Sequence, residues 1–197
     1  MENIKTPISK VAAALKVRSE GVSLRSTARI LGSHKRTIAG WENRFADQKG
    51  TLMLYAFCHK FVSLTFEGDE LYTIVGKRTD PMESKGWTAV VMDRASRFIV
   101  DQRCGKNTEL NLPDSEIYAN HLEGQNAATR RRNSTFRRRT NTYAKTKNGL
   151  QRTLDVQQLI HNFVRPHWTT KEVPAVSLGI INKPFTLENI LSMQKAA

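Results

Sequence analysis

Two runs of β-forming side chains, Trp87–Met92 and Arg97–Arg103, are separated by only the four residues Asp93-Arg94-Ala95-Ser96. A parallel pair needs a crossover of at least ~10–12 residues, so these strands must pair antiparallel. Upstream, Leu71, Tyr72, Ile74 and Val75 in "DELYTIVGKR" mark another strand from about Glu70 to Lys77. Segments with helical spacing come before and after this block. Strands grouped together, with helices on either side, make an α+β chain rather than an alternating α/β one.

The segment before the strands reads as helices. In "ISKVAAALKVRSEG", Ile8, Val11, Ala12 and Leu15 follow helical spacing, and Gly21 supplies a stop. Ser23 is a suitable N-cap for a helix from about Leu24 to Leu31. Gly32 is placed to end that helix at positive φ, and Ser33 to cap a following one from about His34 to Ala46. Helix, tight turn with glycine, helix is the helix-turn-helix pattern. Ala28 is small where the helices would cross, and Ile38 and Trp41 share the inward face. The outward face carries His34, Lys35, Arg36, Thr37 and Arg44, donors suited to base edges and phosphates. A three-helix bundle with a basic surface has the same pattern. Residues 49–66 form a connector, a helix or a strand, between this domain (1–48) and a second one (67–197).

Charge narrows the class of partner. Among 197 residues, 31 Lys and Arg stand against 18 Asp and Glu, a formal net charge of +13. Such an excess suits an anionic polymer, DNA or RNA. The two cysteines, Cys58 and Cys104, exclude a zinc ribbon and give no disulfide framework, so they read as small core residues in a reducing cytoplasm. No stretch reaches the length of apolar sequence that a membrane span takes.

In "HLEGQNAATRRRNSTFRRR", Glu123 precedes Arg130, Arg131, Arg132, Arg137, Arg138 and Arg139. Asn126 and Arg130 lie three and seven positions beyond Glu123, on one helix face. Six arginines within ten residues cover more than one face, and Asn133-Ser134-Thr135 breaks or bends the run. A planar guanidinium bonds two phosphate oxygens at once, which suits the tract to nucleic acid. Farther on, Leu150, Leu154, Leu159, Ile160 and Phe163 predict an amphipathic helix packed on the sheet. Thr186 caps a short final helix. His161 and His167 have no third metal ligand at useful spacing and read as structural or phosphate-facing.

The runs "DELYTIVGKR", "GWTAVVMDRASRFIVDQRCGKNT", "HLEGQNAATRRRNSTFRRRTNTYAK" and "HNFVRPHWTTKEVPAVSLGI" resemble, in this order, the core of the insertion-sequence-one family of bacterial transposases. "GVSLRSTARILGSHKRTIAGW" resembles that family's N-terminal reader. The resemblance spans about Ile8 to Leu191. It implies a ribonuclease-H-like domain behind the helix-turn-helix, and strand cleavage and transfer by an Asp-Asp-Glu triad. Two metal ions about 3.5–4 Å apart then stabilise the attacking and leaving oxygens. Mg²⁺ or Mn²⁺ is the implied cofactor, since carboxylates are hard ligands. By the resemblance, Asp69, ahead of the first strand, matches the first acid and Glu123 the last. The implied partner is DNA at transposon ends, bound by a homo-oligomer or a mixed oligomer with an intact transposase at the nucleoid.

The middle Asp has no obvious place. It belongs on a fourth strand reached by a crossover, and the nineteen residues between Arg103 and Glu123 are too few for crossover, strand and entry to the next helix. A deletion near Asn107–Leu112 makes the second domain a reduced one. Asp93, Asp101 and Asp114 are the nearby acids, with ordinary uses as turn, strand-edge and helix-entry residues. The family's cysteine-rich element ahead of the reader has no counterpart here. An inactive remnant that only binds DNA, or inhibits the intact enzyme, is the alternative reading, and an RNA-binding basic protein a further one.

Overall fold

The first three helices are set off from one another by capping residues and glycine turns. α1 (Ile8–Ser19) buries Val11, Ala12, Ala14 and Leu15. Gly21 follows at φ +88°, and a Cβ there would lie 3.0 Å from the Arg132 carbonyl oxygen. Only glycine fits both the conformation and the approach. α2 (Leu24–Ile30) is capped by Ser23, whose side chain accepts the Ser26 N–H at 3.1 Å. Gly32, at φ +56°, turns the chain into α3 (Lys35–Ala46), as its position predicts. The cap of α3 is His34, not Ser33: His34 Nδ1 accepts the Arg36 N–H at 3.2 Å, while the Ser33 hydroxyl turns back to the Leu31 carbonyl. The connector begins as a helix, α4 (Lys49–His59), with Leu52, Met53 and Ala56 buried.

The computed structural model describes residues 5–59, 65–106, 120–136 and 144–193. Among these, one antiparallel sheet runs in the order β1 (Phe66–Tyr72), β2 (Trp87–Asp93), β3 (Ile99–Gly105). The short turn makes the expected hairpin, with a bulge at Val91/Met92 and Arg97 at φ +64°. Asp93 holds that turn: its Oδ2 accepts the Ser96 N–H and hydroxyl at 2.8 and 2.5 Å.

The first strand differs from expectation by about four residues. It spans Phe66–Tyr72, not Glu70–Lys77, because its ladder with β2 runs from Phe66↔Asp93 to Tyr72↔Trp87 and ends where β2 begins. Val75, beyond that end, makes only an isolated parallel bridge to Ala144. Asp69 therefore lies inside β1, opposite Val90, rather than ahead of the strand.

One face of the sheet carries the helices. α5 (Asn120–Arg132) sets Leu122 against Val90, Met92 and Ile99. α6 (Lys147–Phe163), capped by Thr146, sets Leu150 and Leu154 against Leu71 and Cys104. α7 (Pro174–Ser177) and α8 (Leu187–Ser192), the latter in a Thr186/Asn189 capping box, close the chain. The largest apolar cluster joins Leu15, Ile38, Phe45, Phe98, Phe163 and Ile190. The boundary expected near residue 48 runs through this cluster. Cys104 is buried as expected, but Cys58 is exposed on α4. No helix among the described residues is long and apolar enough to cross a membrane.

Candidate nucleic-acid interface and carboxylate corner

α3 has two faces. Ile38, Trp41, Glu42 and Phe45 point inward and are buried. His34, Lys35, Arg36, Thr37 and Arg44 are all exposed. Arg36 and Arg44 flank Gly40 at helical spacing, and a Cβ built on Gly40 meets no atom within 4 Å. Glycine in a helix interior costs ~1 kcal/mol relative to alanine, and nothing among the described residues uses its smallness. On the exposed face it lets an outside surface approach the helix backbone between two arginines. Neither Gly40 nor Arg25 and Arg29 stood out by sequence. The two arginines are exposed on α2, beside an open hollow that Ser33, His34 and Lys35 also line.

A buried carboxylate sets the orientation of α3. Glu42 is 1% exposed. Its Oε1 accepts Arg18 Nε of α1 at 2.6 Å, and its Oε2 accepts Arg152 Nε of α6 at 3.2 Å. Arg18 also donates to the Val22 carbonyl in the α1–α2 turn. Both oxygens are used, and three helices meet at one residue.

The second candidate site lies between β1 and α5. Asn126 Nδ2 donates to Asp69 Oδ2, and the Glu70 N–H donates to Asp69 Oδ1 at 2.7 Å. Glu123 is exposed one turn earlier on α5. Burial, and then the adjoining Asp69 carboxylate, push Glu70 above its ordinary range. Glu67, on the Asp69 face of β1, is buried and pairs with Arg94 at 3.5 Å. Sequence reading missed it, because a carboxylate in a strand is usually exposed. Asp93 holds its turn, and Asp101 contacts Arg103 and Lys49 at 2.6 and 3.4 Å. Both therefore keep ordinary structural uses. Asp114 lies outside the described residues, as does the Asn107–Leu112 segment. Among the described residues, no three His, Cys, Asp or Glu side chains gather as a metal-holding group.

The arginine tract divides as its sequence suggests. α5 ends at Arg132, and a 3-10 turn, Ser134–Phe136, follows. Arg131 is exposed, and Arg130 and Arg132 are partly so. Arg137, Arg138 and Arg139 lie outside the described residues. Burial, helped by the nearby Arg165, lowers the Arg132 pKa. His161 is buried behind the tract, with Nε2 at 2.8 Å from the Arg97 carbonyl, so it is structural rather than phosphate-facing.

Compared with known proteins, the chain matches no family model, no curated protein and no solved structure.

Proposed function

We propose that this chain is a DNA-binding protein of the transposase type. In this reading α2, the Gly32 turn and α3 form a helix-turn-helix reader, and β1–β3 with α5 and α6 form a reduced ribonuclease-H-like domain. One observation supports it above the rest. The outward face of α3 presents Arg36, Thr37 and Arg44 around an unobstructed Gly40, while its inward face is locked in the core. A rigid helix with donors and no bulk at its centre suits the major groove, where arginine reads guanine through two acceptors at once.

Selection from a pool of random duplexes tests this reading. The protein is expected to enrich a short motif. Arg36→Ala is expected to bind the selected duplex more weakly by about 1–3 kcal/mol, with relaxed preference at one position. No enrichment, or equal affinity for RNA and duplex DNA, would overturn it.

Strand cleavage is the second reading, the ancestral activity of a transposase at element ends. The Asn126–Asp69 hydrogen bond favours it, because it holds α5 on β1 with Glu123 one turn away. Asp69 and Glu123 supply two of three carboxylates, and both Asp69 oxygens already accept N–H donors. Mg²⁺ or Mn²⁺ would supply Lewis acidity at the scissile phosphate. Nicking of the selected duplex with Mn²⁺, lost in Asp69→Ala, would establish this reading. Binding without nicking would leave a DNA-binding protein that, as a homo-oligomer or mixed with an intact transposase, occupies element ends.

A further inference from the structure

Behind the reader lies a cleft of about 490 Å³, walled by α2, the end of α5 and the start of α6. Arg18, Arg25, Arg132, Lys145 and Arg152 line it, and among the described residues no Asp or Glu does. We propose that this cleft is a second nucleic-acid contact, which grips the sugar-phosphate backbone of the duplex that α3 reads. The proposal rests on the DNA-binding reading above.

Several independent features point to phosphate. The buried Glu42 beneath the cleft carries one charge for the two guanidiniums of Arg18 and Arg152. It therefore fixes their positions and leaves a net positive charge. Arginines already held in place lose little side-chain freedom when an anion arrives. Asn133, 5% exposed, also lines the cleft. Its Oδ1 accepts the Thr135 N–H and hydroxyl at 3.2 and 2.7 Å, which identifies the opposite end as the amide nitrogen. That Nδ2 has no acceptor among the described residues. A buried N–H without an acceptor is costly, and a phosphate oxygen would satisfy it.

The lining also says which part of a nucleic acid it takes. Apart from the cations, the described lining consists of Gly, Ala, Leu, Ser, Thr and Asn. Among the described lining residues there is no aromatic ring to serve as a platform for an unpaired base, so this lining favours the backbone over single-strand stacking. Ser23 and Arg25 line both this cleft and the hollow before α3. The basic surface is thus continuous from the reading helix into the cleft, and a backbone leaving α3 passes from one to the other.

Lys145 and Thr153 border the cleft but not the hollow, so they separate the two contacts. Lys145 is exposed, and Thr153 donates within its own helix, to the Gly149 carbonyl. Binding of full-length protein to the selected duplex and to an unselected one would be measured across a salt series. Lys145→Ser is expected to weaken both by about tenfold and to flatten the salt dependence by about one phosphate contact. Thr153→Glu, which puts a carboxylate into the cleft, is expected to weaken both as well and serves if Lys145→Ser does not fold. Wild-type affinity and salt slope in a folded variant, while Arg36→Ala still loses discrimination, would overturn the cleft and leave the reader standing. A wild-type protein that binds no duplex would overturn both.

Discussion

Replacing Glu42 with alanine is expected to destabilise the fold by about 3–5 kcal/mol, the cost of breaking a buried ion pair from one side. The carboxylate is 1% exposed and holds Arg18 at 2.6 Å and Arg152 at 3.2 Å. Without it, two partly buried guanidiniums from α1 and α6 face each other, and neither regains full hydration. The loss is larger than for a surface pair, which is typically worth under ~1 kcal/mol, because water cannot reach the vacated position freely. Urea unfolding of Glu42→Ala against wild type measures it. On the proposed DNA-binding reading, affinity for the selected duplex should fall in parallel even under folding conditions, since Glu42 also sets the angle of α3. A loss below about 1 kcal/mol would show that water replaces the carboxylate, and that the three helices are held by packing alone.

Acid is expected to remove about 3 kcal/mol of stability by pH 4, through His161. Its imidazole is buried, and burial lowers its pKa from 6.5 to about 4. The charged neighbours act in the same direction: His167, Arg132 of α5 and Arg165 all disfavour a second cation. The Arg97 carbonyl, which takes a hydrogen bond from Nε2, opposes the shift but does not outweigh burial.

The sign follows from proton uptake. Above pH 6.5 both folded and unfolded histidine are neutral, and the stability is intact. Between 6.5 and 4 the unfolded chain is protonated first, so stability declines as pH falls. About 2 kcal/mol should be gone by pH 5. Urea midpoints at neutral and mildly acidic pH would show the slope. His161→Gln should flatten it, because glutamine still donates to the Arg97 carbonyl but does not titrate in this range. An unchanged slope in His161→Gln would assign the acid sensitivity to other groups.

Features that depend on a few adjacent residues are legible in the amino-acid order. The Ser23 cap, the Gly32 turn, the hairpin at Asp93–Ser96 and the Thr186 cap all close hydrogen bonds within four or five residues. The arginine tract likewise breaks at Asn133, where short polar side chains bond the local backbone. The first strand misleads for a related reason. "LYTIV" is rich in β-forming residues, but a strand extends only as far as its neighbour does, and β2 begins at Trp87. Propensity names the element, and pairing places its ends.

The sequence by itself determined the α+β class, the excess of positive charge and the basic outward face of α3. Each follows from local periodicity, local turns or simple counting. The tertiary structure alone decided which groups meet. Glu42 finds Arg18 across 24 positions and Arg152 across 110, and Asp69 finds Asn126 across 57. The cleft is walled by three segments that no spacing rule connects. Contacts at such separations are set by how whole helices pack on a shared core, and a one-dimensional pattern carries little of that.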